Sequence, residues 1–358
     1  PNPTIGVEIE LQLIDDNTLD LKNISSKVLA DIDKKFCNRM KYELFESMIE
    51  INTDICSTIE EVDGDIKQTL RHLEEVLKNY NASINCSSLH PFARGKNQII
   101  SNDSRYKRIM NDLQIIGTRF ITQGLHVHIG IDECEKVIKV NNALRIYLPL
   151  LLALSTSSPF YEGEDTGLYS YRTKIFESLP LAGMPDYLNN WDHFTNITEN
   201  LIKANVIRSV KDLWWEVRPH PGFGTVEIRI CDIPVNLIQI LALVALMQAL
   251  VVTIQNLDKY PDTHIQILES NKWQAVRYGL EGTFIDPLTL KQLPIKKAIE
   301  DLCNLIEPVM VSLGSAKYVR VIEEILIHGT GASQKRDIFK KSGKFEYMIK
   351  SMKERFYQ

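Results

Sequence analysis

The feature that most constrains this chain is a strict alternation of polar and apolar residues, which recurs in four separate stretches. In residues 225–232, TVEIRICD, the polar Glu227 and Arg229 alternate with valine and isoleucine. Successive side chains of a β-strand point to opposite faces, so this stretch predicts a half-buried strand with Glu227 and Arg229 on one face. Taken alone, such a row could be a solvated sheet face with a surface ion pair. The preceding residues 218–224, RPHPGFG, predict a rigid turn that carries Arg218.

Two of the other stretches place acidic residues on the polar face. Residues 4–13, TIGVEIELQL, predict a strand in which Glu8 and Glu10 point the same way. Residues 42–53, YELFESMIEINT, predict a second strand with Glu46 and Glu50 on its polar face. Glu43 has the opposite parity, so it joins that face only if the strand contains a β-bulge.

The fourth alternating stretch, residues 125–131, carries imidazoles instead of carboxylates. In LHVHIGI, His126 and His128 share one face, and the apolar residues share the other. A lone histidine is more often a satisfied core residue than a ligand, whereas two on the polar face of one strand favour a functional site. If the four strands belong to one sheet, one face of that sheet collects carboxylates, imidazoles and Arg229.

Helical periodicity fills most of the chain between and after these strands. The spacing of apolar residues predicts helices over residues 57–80, 104–118, 137–154, 192–204, 294–313 and 316–328. Residues 155–172 lack a clear period and predict a lid or binding loop. The basic tail, residues 334–358, is typical of a solvated pair of amphipathic helices. Strands and helices therefore predict an α+β protein, and the absence of a clear linker predicts a single domain over residues 1–358.

Composition limits the partners and the compartment. The 358 residues carry a formal net charge of −5, which does not favour a nucleic-acid partner or an anionic membrane. Six scattered cysteines without a CxxC pair, and no export signal, predict a reducing cytoplasmic setting. Residues 237–254 are apolar and long enough to span a membrane, but Gln239 and Gln248 favour a buried core helix. Residues 144–154 are too short to span and also predict core helix.

The polar face predicts metal-dependent chemistry on phosphates. Several carboxylates together take up protons or bind cations, because they cannot all stay ionised without a counter-charge. An oxygen-rich set with few imidazoles suits Mg²⁺ or Mn²⁺, whereas zinc would favour a compact His/Cys site. Two or three such ions, with Arg229 at the edge, would clamp a nucleotide triphosphate and favour phosphoryl transfer. P-loop and Rossmann chemistry are not supported, because neither GxxxxGK[ST] nor a GxGxxG after a strand is present.

Motifs that run nearly end to end carry a family resemblance. Seven of them occur in order, and a C-terminal GTGASQKR at residues 329–336 fits too. They are GVEIE (6–10), ELFESMIEINT (43–53), HPFA (90–93), GLHVHIGI (124–131), SPFYEGEDTG (158–167), RPHPGFGTVEIRICD (218–232) and NKWQAVRYGLEG (271–282). Together they resemble the glutamate–cysteine ligase type 2-like carboxylate–amine ligases.

The resemblance implies both a fold and an activity. The fold would be similar to that of glutamine synthetase: a curved, mainly antiparallel sheet whose concave face binds metals, with helices packed on the other side. The activity would be ligation that depends on ATP and on Mg²⁺ or Mn²⁺. ATP would phosphorylate a side-chain carboxylate, typically the γ-carboxylate of glutamate, and an amine, typically that of cysteine, would attack the acyl phosphate.

The resemblance also implies roles for individual residues. One metal would be held by Glu8, Glu43 and Glu50. The metal or metals on the nucleotide phosphates would be held by Glu10, His126 and Glu227. Arg229 would stabilise the transferring phosphoryl group, so the catalytic residues would be Arg229 and Glu227. Weaker candidates for substrate or phosphate contacts are His128, Arg172, Arg218 and Arg277.

Other enzyme and non-enzyme functions fit the same polar face. A metal-dependent hydrolase of ATP or phosphoesters would turn over without an acceptor amine, and a nucleotide- or metabolite-binding protein would have lost catalysis. Residues 179–185 and Glu164 depart from the family pattern, and we expect them to border the acceptor site. The expected partners are small molecules, with a homo-oligomer possible because long apolar helices often leave a face to bury.

Overall fold

The strands of the protein are described by a computed structural model that covers residues 3–357. Their bounds are β1 (Ile5–Asp15), β2 (Met40–Tyr42), β3 (Met48–Asn52), β4 (Ala82–Asn85), β5 (Leu125–Gly130), β6 (Phe160–Tyr161), β7 (Glu164–Asp165), β8 (Val217–His220), β9 (Thr225–Ile228), β10 (Thr283–Ile285) and β11 (Gln292–Pro294). Seven of these strands form the main sheet of the described residues, in the order β2-β3-β1-β5-β9-β8, with β4 also paired to β1. All its pairings are antiparallel.

Helices make up the rest of the regular structure. Their bounds are α1 (Ser25–Ala30), α2 (Ile59–Lys78), α3 (Ser104–Leu113), α4 (Cys134–Ser155), α5 (Tyr171–Phe176), α6 (Trp191–Lys203), α7 (Leu237–Asn256), α8 (Ile265–Tyr278), α9 (Ile295–Ser312), α10 (Lys317–His328), α11 (Gly331–Ser342) and α12 (Phe345–Glu354). Local chemistry explains where α2 begins, because the Thr58 side chain accepts a hydrogen bond from the Glu61 amide at 3.2 Å. The predicted pair of helices in the tail is present as α11 and α12.

The hydrophobic core lies between the apolar face of the sheet and the long helices. Helix α7 packs on β5, α4 on β8 and β9, and α2 on β1, β3 and β4. Val7, Ile9, Val127 and Ile228 from the sheet belong to the same buried cluster as most of α7. Each fully buried side chain of this kind contributes about 1.5–3 kcal/mol to folding. The alternation that buries these residues directs the polar residues between them to the opposite face.

Two helices are long and apolar enough, by length and composition, to cross a membrane. They are α4 and α7, and 89% and 83% of their most apolar windows are buried inside the protein. For residues 237–254 the expected core helix is therefore present. Residues 144–154 lie in the helix that was predicted over residues 137–154, and the structure extends that helix to the 22 residues of α4. Burial, and not shortness, is what distinguishes this helix from a membrane span.

The prediction of one strand over residues 42–53 is wrong. The chain ends β2 at Tyr42, turns through residues 43–47 and returns as β3, antiparallel to β2. Within this loop Phe45 is 1% exposed and packs in a second apolar cluster with residues of the α3 region. Glu43 therefore reaches the polar face from a hairpin loop, and no bulge is needed to bring it there.

Two further stretches differ from the sequence prediction. Arg218 and Pro219 belong to strand β8, and the turn is confined to residues 221–224, where Gly224 has a φ of +64°. Strand β9 is shorter than predicted and ends at Ile228, so Arg229 follows it directly. Residues 155–172, predicted as loop, contain the short β6–β7 hairpin.

Candidate active site

The polar face of the sheet forms the floor of a cavity of about 290 Å³. Strands β1, β3, β5 and β9 each contribute polar side chains to it, as the alternation predicts. Its lining includes Glu8, Glu10, Glu43, Glu50, His126, His128, Arg218, Glu227 and Arg229. The structure therefore brings together most of the residues that the sequence singled out. Glu46 lies elsewhere, with its carboxylate hydrogen-bonded to Ser25 and Ser26 at the start of α1.

Three carboxylates form the first candidate metal group: Glu10, Glu43 and Glu50. One oxygen from each lies within 4.8 Å of the other two. The register of β1 and β3 places Glu10 directly opposite Glu50, and the hairpin loop adds Glu43. Burial raises the pKa of Glu10 to about 7, although Arg172 opposes the shift. Burial, with repulsion from Glu50 and Glu10, raises the pKa of Glu43 well above its usual range. Such a group favours a proton or a cation over three free charges.

The second candidate metal group contains Glu8, His128 and Glu227, again with ligand atoms within 4.8 Å of one another. The register places His128 opposite Glu227. Burial alone would raise the pKa of Glu8, but hydrogen bonds from His126 and His128 hold it well below its usual range. This carboxylate is therefore an anion that is stabilised by hydrogen bonds from the two imidazoles.

His126 presents a free ring nitrogen next to the second group. Its Nδ1 lies 3.3 Å from a Glu8 oxygen, and its Nε2 is buried without a hydrogen-bond partner among the described residues. Burial and the neighbouring Arg229 lower the pKa of His126 to about 4, so the ring is neutral at physiological pH. We assign the proton to Nδ1, which donates to Glu8. The Nε2 lone pair then remains available to a metal ion, and Glu8 orients the ring.

The grouping of ligands differs from the one that the resemblance implied. Glu10, and not Glu8, lies with Glu43 and Glu50, because Glu10 is the residue opposite Glu50. Glu8 faces the β5 histidines instead, since it is paired with His126 in the sheet. His128, which the resemblance implied as a substrate or phosphate contact, belongs to the second candidate metal group.

Two arginines converge on Glu227. The Arg218 Nε donates to one Glu227 oxygen at 2.7 Å, and its Nη2 donates to the other at 3.2 Å. Arg229 makes an ion pair with the same carboxylate. Burial alone would raise the pKa of Glu227, but Arg229 and Arg218 hold it far below its usual range. Arg229 also lines the cavity, so its guanidinium is held in a fixed position at the cavity wall.

Two predicted substrate contacts lie outside the lining of this cavity. Arg172 is 2% exposed, and its guanidinium donates to the carbonyl oxygens of Ile230 and Arg229 at 3.1 and 3.3 Å. A Cβ at Gly124 would lie 2.3 Å from Arg172 Nη2, so a larger residue there would displace the guanidinium. Arg277 donates to the Gly167 carbonyl at 2.6 Å and packs on Tyr278. The structure thus gives Arg172 a position behind Arg229 and gives Arg277 a contact with the loop before α5.

The sequence analysis missed the apolar side of the cavity and several charged residues at its rim. Helix α3 supplies Tyr106, whose hydroxyl lies 3.5 Å from the Glu43 carboxylate. Lys41, Arg105 and Lys211 also line the cavity. Only Arg105 carried a signal, as part of the basic start of α3. Lys41 precedes the acidic stretch without any motif, and Lys211 lies in a segment with no clear period.

Glu164 and Lys272 occupy other parts of the molecule. Glu164 is exposed in the β6–β7 hairpin, and it does not belong to the lining of the cavity. Lys272 is 3% exposed and makes ion pairs with Glu177, Glu216 and Glu269 at 2.8–3.2 Å. Its ammonium group is shared among these three carboxylates, so it is not free to bind a phosphate. Of the residues 179–185, Leu179 does line the cavity.

Comparison with solved structures confirms the predicted fold class. The crystal structure of glutamate–cysteine ligase from Francisella tularensis in complex with AMP matches with a TM-score of 0.76 at 14% identity, over 99% of this chain and 88% of that one. A bifunctional glutathione synthetase from Pasteurella multocida matches with a TM-score of 0.65 at 13% identity, over 99% of this chain and 52% of that one. The antiparallel sheet with helices on its apolar face is thus the fold of known ligases.

Two proteins found by sequence comparison share a higher identity with this chain than these solved structures do. A protein of Gloeobacter violaceus named "Putative glutamate--cysteine ligase 2" is 39% identical over 351 residues, which cover 95% of this chain and 93% of that protein. A protein of the same name from Solibacter usitatus is 36% identical over 361 residues, 98% of this chain and 93% of that protein. The model of glutamate-cysteine ligase family 2 matches residues 4–354. These matches confirm the prediction of an ATP-dependent C–N ligase. The chain belongs to glutamate-cysteine ligase family 2.

Proposed function

We propose that the cavity binds ATP with divalent cations and joins the γ-carboxylate of glutamate to an amine through an acyl phosphate. The observation that carries this proposal is the pairing of two buried acidic groups with Arg229 on one sheet face. A hydrolase needs no second organic substrate, whereas this cavity also has an extensive apolar side. Family membership favours the ligase over the hydrolase and the binding protein.

The donor atoms fit Mg²⁺ or Mn²⁺. Glu10, Glu43 and Glu50 would hold one ion, because hard divalent cations favour carboxylate oxygens. Glu8, His128 and Glu227 would hold another, and the free Nε2 of His126 lies beside them. Bound ions would neutralise the charge of the phosphates and of the reacting carboxylate. The raised pKa values of Glu10 and Glu43 support this assignment. Repulsion between the carboxylates contributes to these raised values, and a bound cation would relieve the same repulsion.

Arg229 provides a fixed positive charge where phosphoryl transfer would take place. In the first step a carboxylate oxygen of glutamate bonds to the γ-phosphorus of ATP, and ADP leaves. In the second step the amine nitrogen bonds to the acyl carbon, inorganic phosphate leaves, and the nitrogen loses a proton. Both steps develop charge on phosphoryl oxygens, which a guanidinium held by Glu227 stabilises without moving. Arg218 keeps Glu227 in place and thereby keeps Arg229 in place.

The whole chain acts as one unit in this proposal. The cavity takes residues from β1, β3, β5 and β9 and from α3, so we infer a single domain across residues 1–358. All six cysteines are free thiols, which supports the proposed location in the cytoplasm.

The test is release of ADP and phosphate from Mg²⁺-ATP in the presence of glutamate and a panel of amines, with mass detection of the product. We expect a product whose mass is that of glutamate plus the amine minus water. Hydroxylamine should trap the activated carboxylate as a hydroxamate. ATP turnover that is independent of both glutamate and amine would contradict the ligase and favour a hydrolase.

A further inference from the structure

One side of the cavity is apolar and begins next to the first candidate metal group. Leu44 follows Glu43 directly in the chain, and both line the cavity. The wall continues through α3 and across to the end of α5. Its side chains, called here the apolar wall, are Leu44, Ile109, Leu113, Phe120, Phe176 and Leu179.

The side chains of the apolar wall pack against one another and belong to a single apolar cluster. All of them pack in the second apolar cluster of the protein. The rings of Phe120 and Phe176 meet edge to face with centroids 5.3 Å apart. Ile109 and Phe176 are only partly buried, so part of each faces the cavity. The apolar wall is therefore supported by the second apolar cluster on one side and faces the cavity on the other.

Glutamate and the triphosphate of ATP do not suit this surface. Glutamate carries an ammonium and two carboxylates, so placing it against hydrocarbon leaves charged groups without hydrogen bonds. The faces of an adenine ring can pack on hydrocarbon, but its polar edges need hydrogen-bond partners. The Tyr106 hydroxyl, which also lines the cavity, is 3.5 Å from both the Tyr42 carbonyl and the Glu43 carboxylate. A stacked pair, His220 and Phe223, with centroids 4.3 Å apart, lies at the other end of the strands and suits a base better.

We propose that the apolar wall is the subsite for the side chain of the acceptor, and that the acceptor is a primary amine with an apolar side chain larger than that of cysteine. This inference rests on the proposed ligase function. The amine nitrogen must reach the acyl carbon beside the acidic groups, and the wall begins at Glu43. The rest of such an acceptor therefore lies along the wall.

The proposal sets a direction and a scale for the rates. Each methylene moved from water to an apolar surface is worth about a fourfold gain in binding. Cysteine and 2-aminobutyrate cover similar areas, whereas leucine adds two carbons. With glutamate and ATP saturating, kcat/KM should therefore be roughly fifteen-fold higher for leucine than for 2-aminobutyrate. Lysine, of similar length but with an ammonium at its tip, should react poorly.

The first experiment measures kcat/KM for alanine, 2-aminobutyrate, cysteine, leucine, phenylalanine and lysine, with hydroxylamine as an acceptor that has no side chain. Leucine is paired with 3-methylbutylamine to separate amino acids from simple amines. Rates that rise with apolar size support the proposal. A flat series, or cysteine faster than leucine, would overturn it while hydroxamate formation kept the ligase intact. No hydroxamate with glutamate would overturn the proposed function and this inference together.

A matched pair of variants locates the effect. Ile109→Asp puts a charge in the apolar wall, whereas Ile115→Asp changes an isoleucine that is 70% exposed just after the same helix. We expect Ile109→Asp to lower the ratio of leucine to hydroxylamine rates by roughly fifteen-fold, the scale of two lost methylene contacts, and to raise the rate with lysine. Ile115→Asp should leave the ratio unchanged. If Ile109→Asp does not fold, Ile109→Ala should shift the preference toward phenylalanine, and an unchanged order would contradict the subsite.

Discussion

At the scale of single residues, two glutamates three positions apart have opposite surroundings. Glu43 lies among carboxylates in the cavity, while Glu46 accepts hydrogen bonds from the Ser26 amide at 2.9 Å and from two serine hydroxyls. We expect Glu43→Gln to stabilise the metal-free protein, because it removes a carboxyl group whose pKa burial and the neighbouring Glu50 and Glu10 raise well above its usual range. The same change should weaken Mg²⁺ binding and turnover, since even the partners of metal ligands are worth ~10–100-fold.

The matched control is Glu46→Gln. It weakens charge-assisted hydrogen bonds at the start of α1 and should lower stability by roughly 1 kcal/mol. Metal binding and turnover should stay near wild type. Thermal melts with and without Mg²⁺, with calorimetric titration, compare the two variants. A loss of metal-free stability in Glu43→Gln would show that this carboxylate is a structural group.

Arg229 is the residue on which phosphoryl transfer is expected to depend most. Arg229→Ala should lower kcat by ~10² or more, the scale of one lost preorganised charge stabiliser. Arg229→Lys should recover part of the rate. Steady-state kinetics with glutamate and hydroxylamine measure this, and a normal kcat with a raised KM would instead indicate ground-state binding.

Glu227 is a poor position for the same test. Its carboxylate neutralises both Arg218 and Arg229, and it is 1% exposed. Removing one partner of a buried ion pair costs about 3–5 kcal/mol. Glu227→Gln is therefore expected to lower the stability of the fold as well as turnover.

At the scale of elements, alternation within a strand was predictable and the direction of loops was not. Glu8, Glu10, His126, His128 and Glu227 occupy the predicted face because a strand has a fixed period. Glu43 reaches that face through a loop whose path is set by the burial of Phe45, and no local pattern encodes it. Arg172 and Lys272 look like free cations in a sequence, but their partners are remote in the chain.

Helix α11 is joined to the segments that follow β4 and α4 by a buried lysine, and the contribution of this lysine to stability depends on pH. Lys335 Nζ donates to the Ser87 hydroxyl at 2.5 Å and to the Ser157 carbonyl at 2.6 Å. Burial lowers the pKa of Lys335 to about 8, despite the nearby Asp232. Between about pH 8 and the ordinary lysine pKa, the unfolded chain holds a proton that the folded protein has lost. Stability from this group therefore rises with pH in that window, by roughly 3 kcal/mol at most.

Lys335→Met removes this titration. Chemical denaturation of both proteins at several values between pH 7.5 and 10 measures it, because other alkaline groups are common to the two and cancel in the difference. We expect the stability of wild type relative to Lys335→Met to increase across the range. A constant difference would mean that Lys335 keeps its proton in the folded protein.

At the scale of the whole molecule, the sheet and its helices share one large apolar cluster that extends from Ile5 to Phe356. A core in which one large cluster unites the sheet with the long helices predicts cooperative unfolding. We expect a single calorimetric transition whose calorimetric and van't Hoff enthalpies agree. Two separable transitions would contradict the single domain. Because Mg²⁺-ATP would bind only the folded protein, it should raise the midpoint of the transition by mass action.

The order of strands in the sheet has a consequence for the chain while it is being synthesised on the ribosome. Strand β1 holds both Glu8 and Glu10 and lies in the middle of the sheet, between β3 and β5. It leaves the ribosome early, whereas β5 and β9 follow after residue 124. At typical synthesis rates of ~5–20 residues per second, the part of the β1 edge that pairs with β5 has no neighbour for about five to twenty seconds. An unpaired apolar strand is a template for aggregation. Slowing synthesis between β1 and β5 should therefore lower the soluble yield, even though every residue of the finished enzyme is unchanged.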